Sequence, residues 1–294
     1  MHQAAIAAYT QAINLDPKYA MAFAERSGAL SDYGIFDVHD PATAHATLES
    51  ALKDAVTATT LAPELAEGYL ALGVALRYGV LEFARADEAY ERALALAPGN
   101  ARVLASYSRQ AAEMGRTAAA LNTGRRAITL DPLNFNVYRM VGITFIFARR
   151  YAEALASFQM AISLEPDLVR LHSLVGSTQY GMGAYEAARK SCEVASADDL
   201  GRVCLAMTYR KLGRNVDAEA MLQQLKSTWG DANAFTYARI YAQWGDIGNA
   251  LDWLDTAVRL RASDLADLKT DPALDPLRNE PRFQAVMREL KFPN

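Results

Sequence analysis

Residues 135–166 read FNVYRMVGITFIFARRYAEALASFQMAISLEP. Apolar residues follow one another at steps of three and four, which is the spacing of an amphipathic helix. The pair Arg149–Arg150 interrupts this pattern halfway, and Pro166 cannot continue a helix because it lacks a backbone N–H and restricts the residue before it. The stretch therefore predicts two helices joined by a short turn and ended before Pro166.

The same arrangement of small residues followed by Leu-x-Pro recurs upstream, at Pro17, Pro63, Pro98 and Pro132. Pro98, Pro132 and Pro166 are spaced 34 residues apart. A fixed period of this length is typical of a solenoid, in which each unit buries its apolar face only by stacking on its neighbours. The sequence therefore predicts an all-α chain of stacked helical hairpins.

The unit at 135–166 also carries a family signature in order: Tyr138, Val141–Gly142, Phe145, Tyr151, Ala154, Phe158, Ala161 and Pro166. These residues resemble the tetratricopeptide repeat (TPR) family. The resemblance implies a right-handed superhelical α-solenoid built from tandem helix-turn-helix repeats.

Residues 1–294 are predicted to form a single TPR solenoid. We expect a half repeat at 3–17, repeats at about 20–63, 66–98, 101–132, 135–166, 169–197, 199–230 and 231–262, and a C-terminal cap at 264–290. The repeat at 20–63 contains an insertion, residues 35–46. There we expect a first helix from about Ala20 to Tyr33, and Asp40–Pro41 as the cap of a second helix lengthened at its start.

The two ends differ in character. The first helix, from Gln3 to Leu15, lacks its hairpin partner, so either the chain is part of a longer protein or this face packs on a second copy. The cap at 264–290 is similar to the tail of TPR regions in bacterial multidomain signalling proteins such as nucleotide cyclases, winged-helix regulators and kinases. That resemblance implies the regulatory part of a larger protein, with an effector domain upstream of residue 1.

The chemistry of the chain argues against an enzyme. A net charge of -4 gives no global attraction for nucleic acid or anionic membrane, and no apolar run is long enough for a membrane span. We find no phosphate loop and no nucleophile elbow, and we expect no cofactor. His39, Asp40 and His45 do not suffice for a metal site. Cys192 and Cys204 are expected as separate core thiols, in preference to the alternative of a regulatory thiol pair. A cytoplasmic location fits best, or a periplasmic one if the chain is a fragment of a membrane-anchored protein.

Inner positions of the first helices are rich in arginine, which predicts a basic groove with an apolar floor. The candidate peptide-binding residues are Arg102, Arg109, Arg139, Ile143, Phe147, Arg170, Tyr180, Met207 and Arg210. Guanidinium groups bind carboxylates bidentately, so the expected ligand is an acidic, partly hydrophobic protein segment. The competing interpretation is that these arginines are ordinary helix-face charges paired with nearby acids. We expect Arg109 and Arg139 to be exposed, so that replacing both by Glu would leave stability unchanged.

The leading functional hypothesis is a non-enzymatic interaction module that holds a partner segment in its concave groove. The alternative is a homo-oligomerisation or assembly element that uses the uncapped N-terminal face. Single-stranded RNA binding along the arginine track is a third hypothesis, which the net negative charge disfavours.

Overall fold

The computed structural model describes residues 2–293. In that range, sixteen α-helices and three short 3-10 helices follow one another, and no strand occurs. Consecutive helices pack as hairpins that stack side by side, so the predicted all-α helical solenoid is confirmed. The helices are α1 (His2–Leu15), α2 (Ala20–Phe36), α3 (Pro41–Leu61), α4 (Ala66–Gly79), α5 (Phe83–Leu96), α6 (Ala101–Glu113), α7 (Thr117–Leu130), α8 (Phe135–Phe147), α9 (Tyr151–Leu164), α10 (Arg170–Gly181), α11 (Tyr185–Val194), α12 (Asp199–Lys211), α13 (Asn215–Trp229), α14 (Ala234–Trp244), α15 (Ile247–Arg259) and α16 (Pro281–Glu289). The 3-10 helices span Gly230–Asn233, Ser263–Asp267 and Pro272–Leu277.

The hairpin of α8 and α9 shows why the signature residues are needed. Phe145 of α8 and Phe158 of α9 are buried in one apolar cluster that also contains Ala154. The ring of Phe158 lies directly on the backbone of α8, because a Cβ atom at Gly142 would lie 2.5 Å from Cε1 of that ring. The glycine therefore allows the two helices to approach closely.

The turns inside six of the seven hairpins share one backbone conformation, and the turn between α2 and α3 is the exception. Leu81 and Arg149 have a φ of 57°, in the left-handed region that favours glycine. Four further hairpins place a glycine there, at Gly115, Gly183, Gly213 and Gly245. Between units, Asn134 caps α8, since its Oδ1 accepts a hydrogen bond from the backbone N–H of Asn136 at 3.0 Å.

The insertion lengthens both helices of its hairpin. Asp40 caps α3 as predicted, because its Oδ2 accepts a hydrogen bond from the backbone N–H of Thr43 at 2.8 Å. The first helix, however, runs to Phe36 instead of ending at Tyr33. Because this hairpin is longer than the others, its turn reaches the C-terminal end of α13. There the ring centres of His39 and Trp229 lie 3.8 Å apart.

The two cysteines are paired, and the expectation of separate thiols is wrong. Cys192 of α11 and Cys204 of α12 form a disulfide with both side chains fully buried. Cys192 stands one period after Phe158, so a small residue replaces an aromatic ring and leaves room for α12 to approach. Gly176 lies beside the sulfurs, where a Cβ atom would be 3.1 Å from Sγ of Cys204.

Candidate functional site

The hollow of the solenoid is lined by the first helix of each unit, and contacts across it identify the inward-facing side chains. Arg102 of α6 reaches Glu25 of α2, with 2.7 Å between Nη1 and Oε1. The guanidinium of Arg170, on α10, lies 5.5 Å from the ring centre of Phe36 on α2. The hollow is therefore narrow, because side chains of α2 meet those of α6 and α10 across it.

The C-terminal segment, residues 263–278, occupies part of this hollow. Its carboxylates pair with arginines of three different units: Asp267 with Arg77 at 2.8 Å, Asp271 with Arg239 at 2.9 Å, and Asp275 with Arg149 at 2.6 Å. Its apolar side chains point the other way and are fully buried with α14, α15 and α16, at Leu265, Leu268, Leu274 and Leu277. The segment is thus an integral part of the core, with an acidic side toward the hollow.

A buried charge cluster anchors this segment to α4 and α6. Glu113 is fully buried and forms ion pairs with Arg77, which is 1% exposed, and with Arg109 at 2.7 Å. Burial raises the pKa of Glu113, although the two guanidinium groups act in the opposite direction. Thr270 adds a hydrogen bond from its hydroxyl to the backbone carbonyl of Glu113, at 3.1 Å.

Two expectations about the arginines are wrong. Arg109 is not a free surface residue, because its side chain is only 22% exposed and pairs with Glu113. Replacing it by Glu would place a second carboxylate beside a buried one, so unchanged stability is not expected. The groove is also not uniformly basic, since Arg102 pairs with Glu25 and Arg170 pairs with Asp198 at 3.2 Å.

Arg139 differs from the other inward-facing arginines. Its one side-chain hydrogen bond runs from Nε to Oδ1 of Asn136 at 3.3 Å, and within residues 2–293 no carboxylate lies within 4.0 Å of it. Burial lowers its pKa, and the nearby cation Arg109 lowers it further. Asp32 of α2 faces it without direct contact, and burial raises the pKa of that carboxyl although its side chain keeps solvent exposure. Both groups therefore border solvent confined within the hollow.

The predicted apolar floor is mostly packed away. Phe147 is 9% exposed and Met207 is 4% exposed, and Ile143 packs in the same cluster as Phe147. Tyr180 packs beside Met207 and donates its hydroxyl hydrogen bond to Oε1 of Gln243 at 2.9 Å. Arg210 is exposed and lies 5.4 Å from the ring centre of Trp244. Among the nine candidates, Arg102 and Arg170 combine an inward position with an exposed guanidinium group. Arg139 also faces inward but is partly buried, so the expectation that it is exposed is wrong.

Sequence reasoning missed a cavity of about 190 Å³ at the end of the hollow. One wall comes from the inserted corner, with Ile35, Phe36 and Val38, and the opposite wall includes Leu200 and Trp229. The insertion at residues 35–46 was the feature of the sequence that could have indicated this cavity. The length of an insertion, however, does not tell which distant helices the inserted turn contacts.

Two further properties bear on function. Among the described residues, no group of histidine, cysteine and acidic side chains is arranged to hold a metal ion. None of the helices described here has both the length and the apolar character required to cross a bilayer.

The fold of this chain is similar to that of several solved structures. A search of protein-family models found no match, and a search of curated proteins found none either. Among solved structures, human IFIT1 bound to m7Gppp-AAAA is similar at a TM-score of 0.63 and 14% identity, over 89% of this chain and 68% of that one. The Cut9 assembly with Hcn1 is similar at a TM-score of 0.62 and 16% identity, over 97% of this chain and 52% of that one.

A shorter similarity, with a TM-score of 0.41 and 19% identity, covers 66% of this chain and 95% of YrrB, described as a TPR protein with an unusual peptide-binding site. The TPR signature and the stacked hairpins define the class: the chain is an all-α solenoid with the tetratricopeptide-repeat fold. It spans about half the length of the Cut9 chain, at 52%.

Proposed function

We propose that the chain is a non-enzymatic interaction module that binds an acidic, partly apolar segment of a protein partner in the open part of its hollow. The observation that carries this proposal is Arg139. Arg77, Arg102, Arg109, Arg170 and Arg239 all have a carboxylate partner within 4.0 Å, whereas Arg139 has none among residues 2–293. Asp32 faces Arg139 without touching it. A partly buried cation with no carboxylate in direct contact is stabilised by an incoming one.

The chain's own C-terminal segment supports this choice of ligand. It presents Asp267 and Asp271 to Arg77 and Arg239 on first helices, and Asp275 to Arg149 in a hairpin turn, while its leucines are buried among apolar side chains. Acidic and apolar residues within one short segment therefore fit this interior. Next to Arg139 in the repeat order, the side chains of Arg102 and Arg170 are 55% and 40% exposed, which leaves donor groups for a second and third carboxylate.

A fluorescent peptide of alternating Asp and Leu, compared with its Asn and Leu counterpart, tests the proposal by fluorescence anisotropy. We expect the acidic peptide to bind the wild type and to lose about tenfold or more in affinity with Arg139→Gln, about 1.4 kcal/mol. Arg126→Gln is the matched control, because Arg126 lies exposed on α7 and forms no ion pair in the described part of the chain. Equal affinities of wild type and Arg139→Gln would refute the proposal.

RNA is the second candidate, because a solenoid of similar fold, human IFIT1, is bound to m7Gppp-AAAA in its structure. The acids that pair with the inward arginines here oppose a polyanion. A 5′-triphosphate oligoadenylate in the same assay decides between them, since RNA binding would weaken steeply with added salt. A regulatory role within a larger signalling protein stays a proposal from the resemblance of residues 264–290.

A further inference from the structure

The inserted corner builds a binding cavity between the second unit and the last units of the solenoid. Phe36 is 44% exposed and Leu200 is 36% exposed, although both line the cavity. The volume, about 190 Å³, exceeds the roughly 150 Å³ of an apolar cavity that takes up a benzene ring. Small-molecule sites combine apolar surface with polar groups that fix the orientation of the ligand. This cavity has both kinds of side chain in its wall.

Almost every charged group of the cavity wall already has a partner. Four of these groups form ion pairs: Arg170 with Asp198, Arg239 with Asp271, Asp199 with Arg202, and His45 with Glu49. Asp199 also accepts a hydrogen bond from the indole N–H of Trp229. Arg261 donates a hydrogen bond to the carbonyl of Val80. The exception among the described lining residues is Asp264, whose carboxylate accepts one hydrogen bond, from Ser263 at 3.3 Å. The wall thus has one carboxylate, Asp264, with no cation in direct contact, and one guanidinium, Arg261, bonded only to a carbonyl among the described residues.

The aromatic rings of this wall attract positive groups. The Arg170 guanidinium lies 5.5 Å from the centre of the Phe36 ring, and the ring of His39 packs on Trp229. The negative face of an aromatic ring favours a cation. Asp198 and Asp271 offset the charges of Arg170 and Arg239. The Arg261 guanidinium, bonded to the carbonyl of Val80, is the cation of the wall that an amine must avoid.

We propose that this cavity binds a small organic amine, with its ammonium group against Asp264 and its apolar body against Phe36 and Leu200. The cavity shares Arg170 with the peptide site proposed above. Arg139 does not line it, and the proposal does not depend on peptide binding. Burial is the main cause that raises the pKa of Asp264 to about 6. The negative charge of Asp267 raises this pKa as well, and the positive charge of Arg239 lowers it. Asp264 is therefore ionised above neutral pH, where an ammonium ion stabilises it.

Isothermal titration calorimetry of the full chain with three probes of one shape tests this proposal: phenethylamine, 2-phenylethanol and 3-phenylpropionate. At pH 7.5 we expect the amine to bind, the alcohol to bind about tenfold more weakly, and the carboxylate not to bind. The affinity for the amine should fall between pH 7 and pH 5 as Asp264 takes up a proton. The other titratable groups facing Asp264 or lining the cavity are Asp267, Asp271, Arg239, Asp199, His45, Arg170 and Arg261.

Two variants complete the experiment. Asp264→Asn should lower the affinity for the amine at least tenfold, whereas Asp231→Asn removes an exposed carboxylate outside the cavity and should leave it unchanged. Phe36→Ala should weaken binding of the amine and the alcohol alike. The proposal is overturned if no probe binds the wild type, if the carboxylate binds as tightly as the amine, or if Asp264→Asn retains full affinity. The wild-type probe series decides the question even if a variant does not fold.

Discussion

Arg77 on α4 and Asp267 in the C-terminal segment are 190 residues apart in sequence, yet Nη2 of the first donates a hydrogen bond to Oδ1 of the second at 2.8 Å. This contact joins the third unit to the end of the chain across the hollow. It turns a string of neighbouring repeats, each in contact with the next, into a structure whose distant parts stabilise one another.

Removing this guanidinium should destabilise the protein strongly. Arg77→Met deletes one of the two cations beside the fully buried Glu113 and leaves Asp267 without its closest partner. Breaking a buried ion pair costs about 3–5 kcal/mol in free energy of unfolding, and we expect a loss of this size. Urea denaturation at 25 °C measures it. Arg92→Met is the control, because its pair with Glu64 is exposed and contributes at most about 1 kcal/mol. Equal losses for the two variants would show that the buried cluster is not important for stability.

The contact between Gly142 and Phe158 gives a second prediction about stability. Gly142→Ala places a Cβ atom 2.5 Å from a ring carbon of Phe158, so the hairpin must open, at a cost of about 1–3 kcal/mol. Gly99→Ala is the matched substitution at a position with nothing within 4 Å, and we expect a change below about 0.5 kcal/mol. Urea denaturation of both variants checks the difference, and a neutral Gly142→Ala would contradict the close packing.

The periodic part of the fold could be predicted because each unit repeats the same local physics. The spacing of Pro98, Pro132 and Pro166 and the small residue at Gly142 both report on contacts within one hairpin or between neighbours. The cap of α3 at Asp40 was predictable for the same reason, since a capping side chain bonds to a backbone group three residues away.

Contacts between distant units could not be predicted in this way. Arg109 has the same sequence surroundings as an exposed helical arginine, and its burial follows from Asp267 and Thr270 arriving from the far end of the chain. The disulfide and the cavity have the same cause, because each depends on how far a helix of irregular length displaces the next unit. The position of Arg139 in the hollow was predicted, but its lack of a carboxylate partner was visible only in three dimensions.

The raised pKa of Asp264 predicts a pH dependence of stability. The pKa rises from 3.8 to about 6 on folding, so between these pH values the folded protein holds a proton that the unfolded chain has released. Stability attributable to this group therefore falls as pH rises through that window. Relative to the wild type, Asp264→Asn should gain up to about 3 kcal/mol in free energy of unfolding between pH 4 and pH 7. Urea titrations at several pH values measure this gain, and a constant difference would contradict it. Asp231→Asn should show none.

The disulfide between Cys192 and Cys204 should stabilise the sixth and seventh units. It closes a short loop, the two cysteines being 12 residues apart in sequence, and a cross-link of that length restricts the unfolded chain by about 3 kcal/mol. We expect dithiothreitol to lower the urea midpoint of the wild type. The double variant Cys192→Ala with Cys204→Ala should unfold near the midpoint of the reduced protein and should not respond to the reductant. A wild type that is equally stable with and without dithiothreitol would show that the cross-link adds nothing. Thiol titration of the urea-unfolded, unreduced protein checks that the bond is formed, because it should then detect no free thiol.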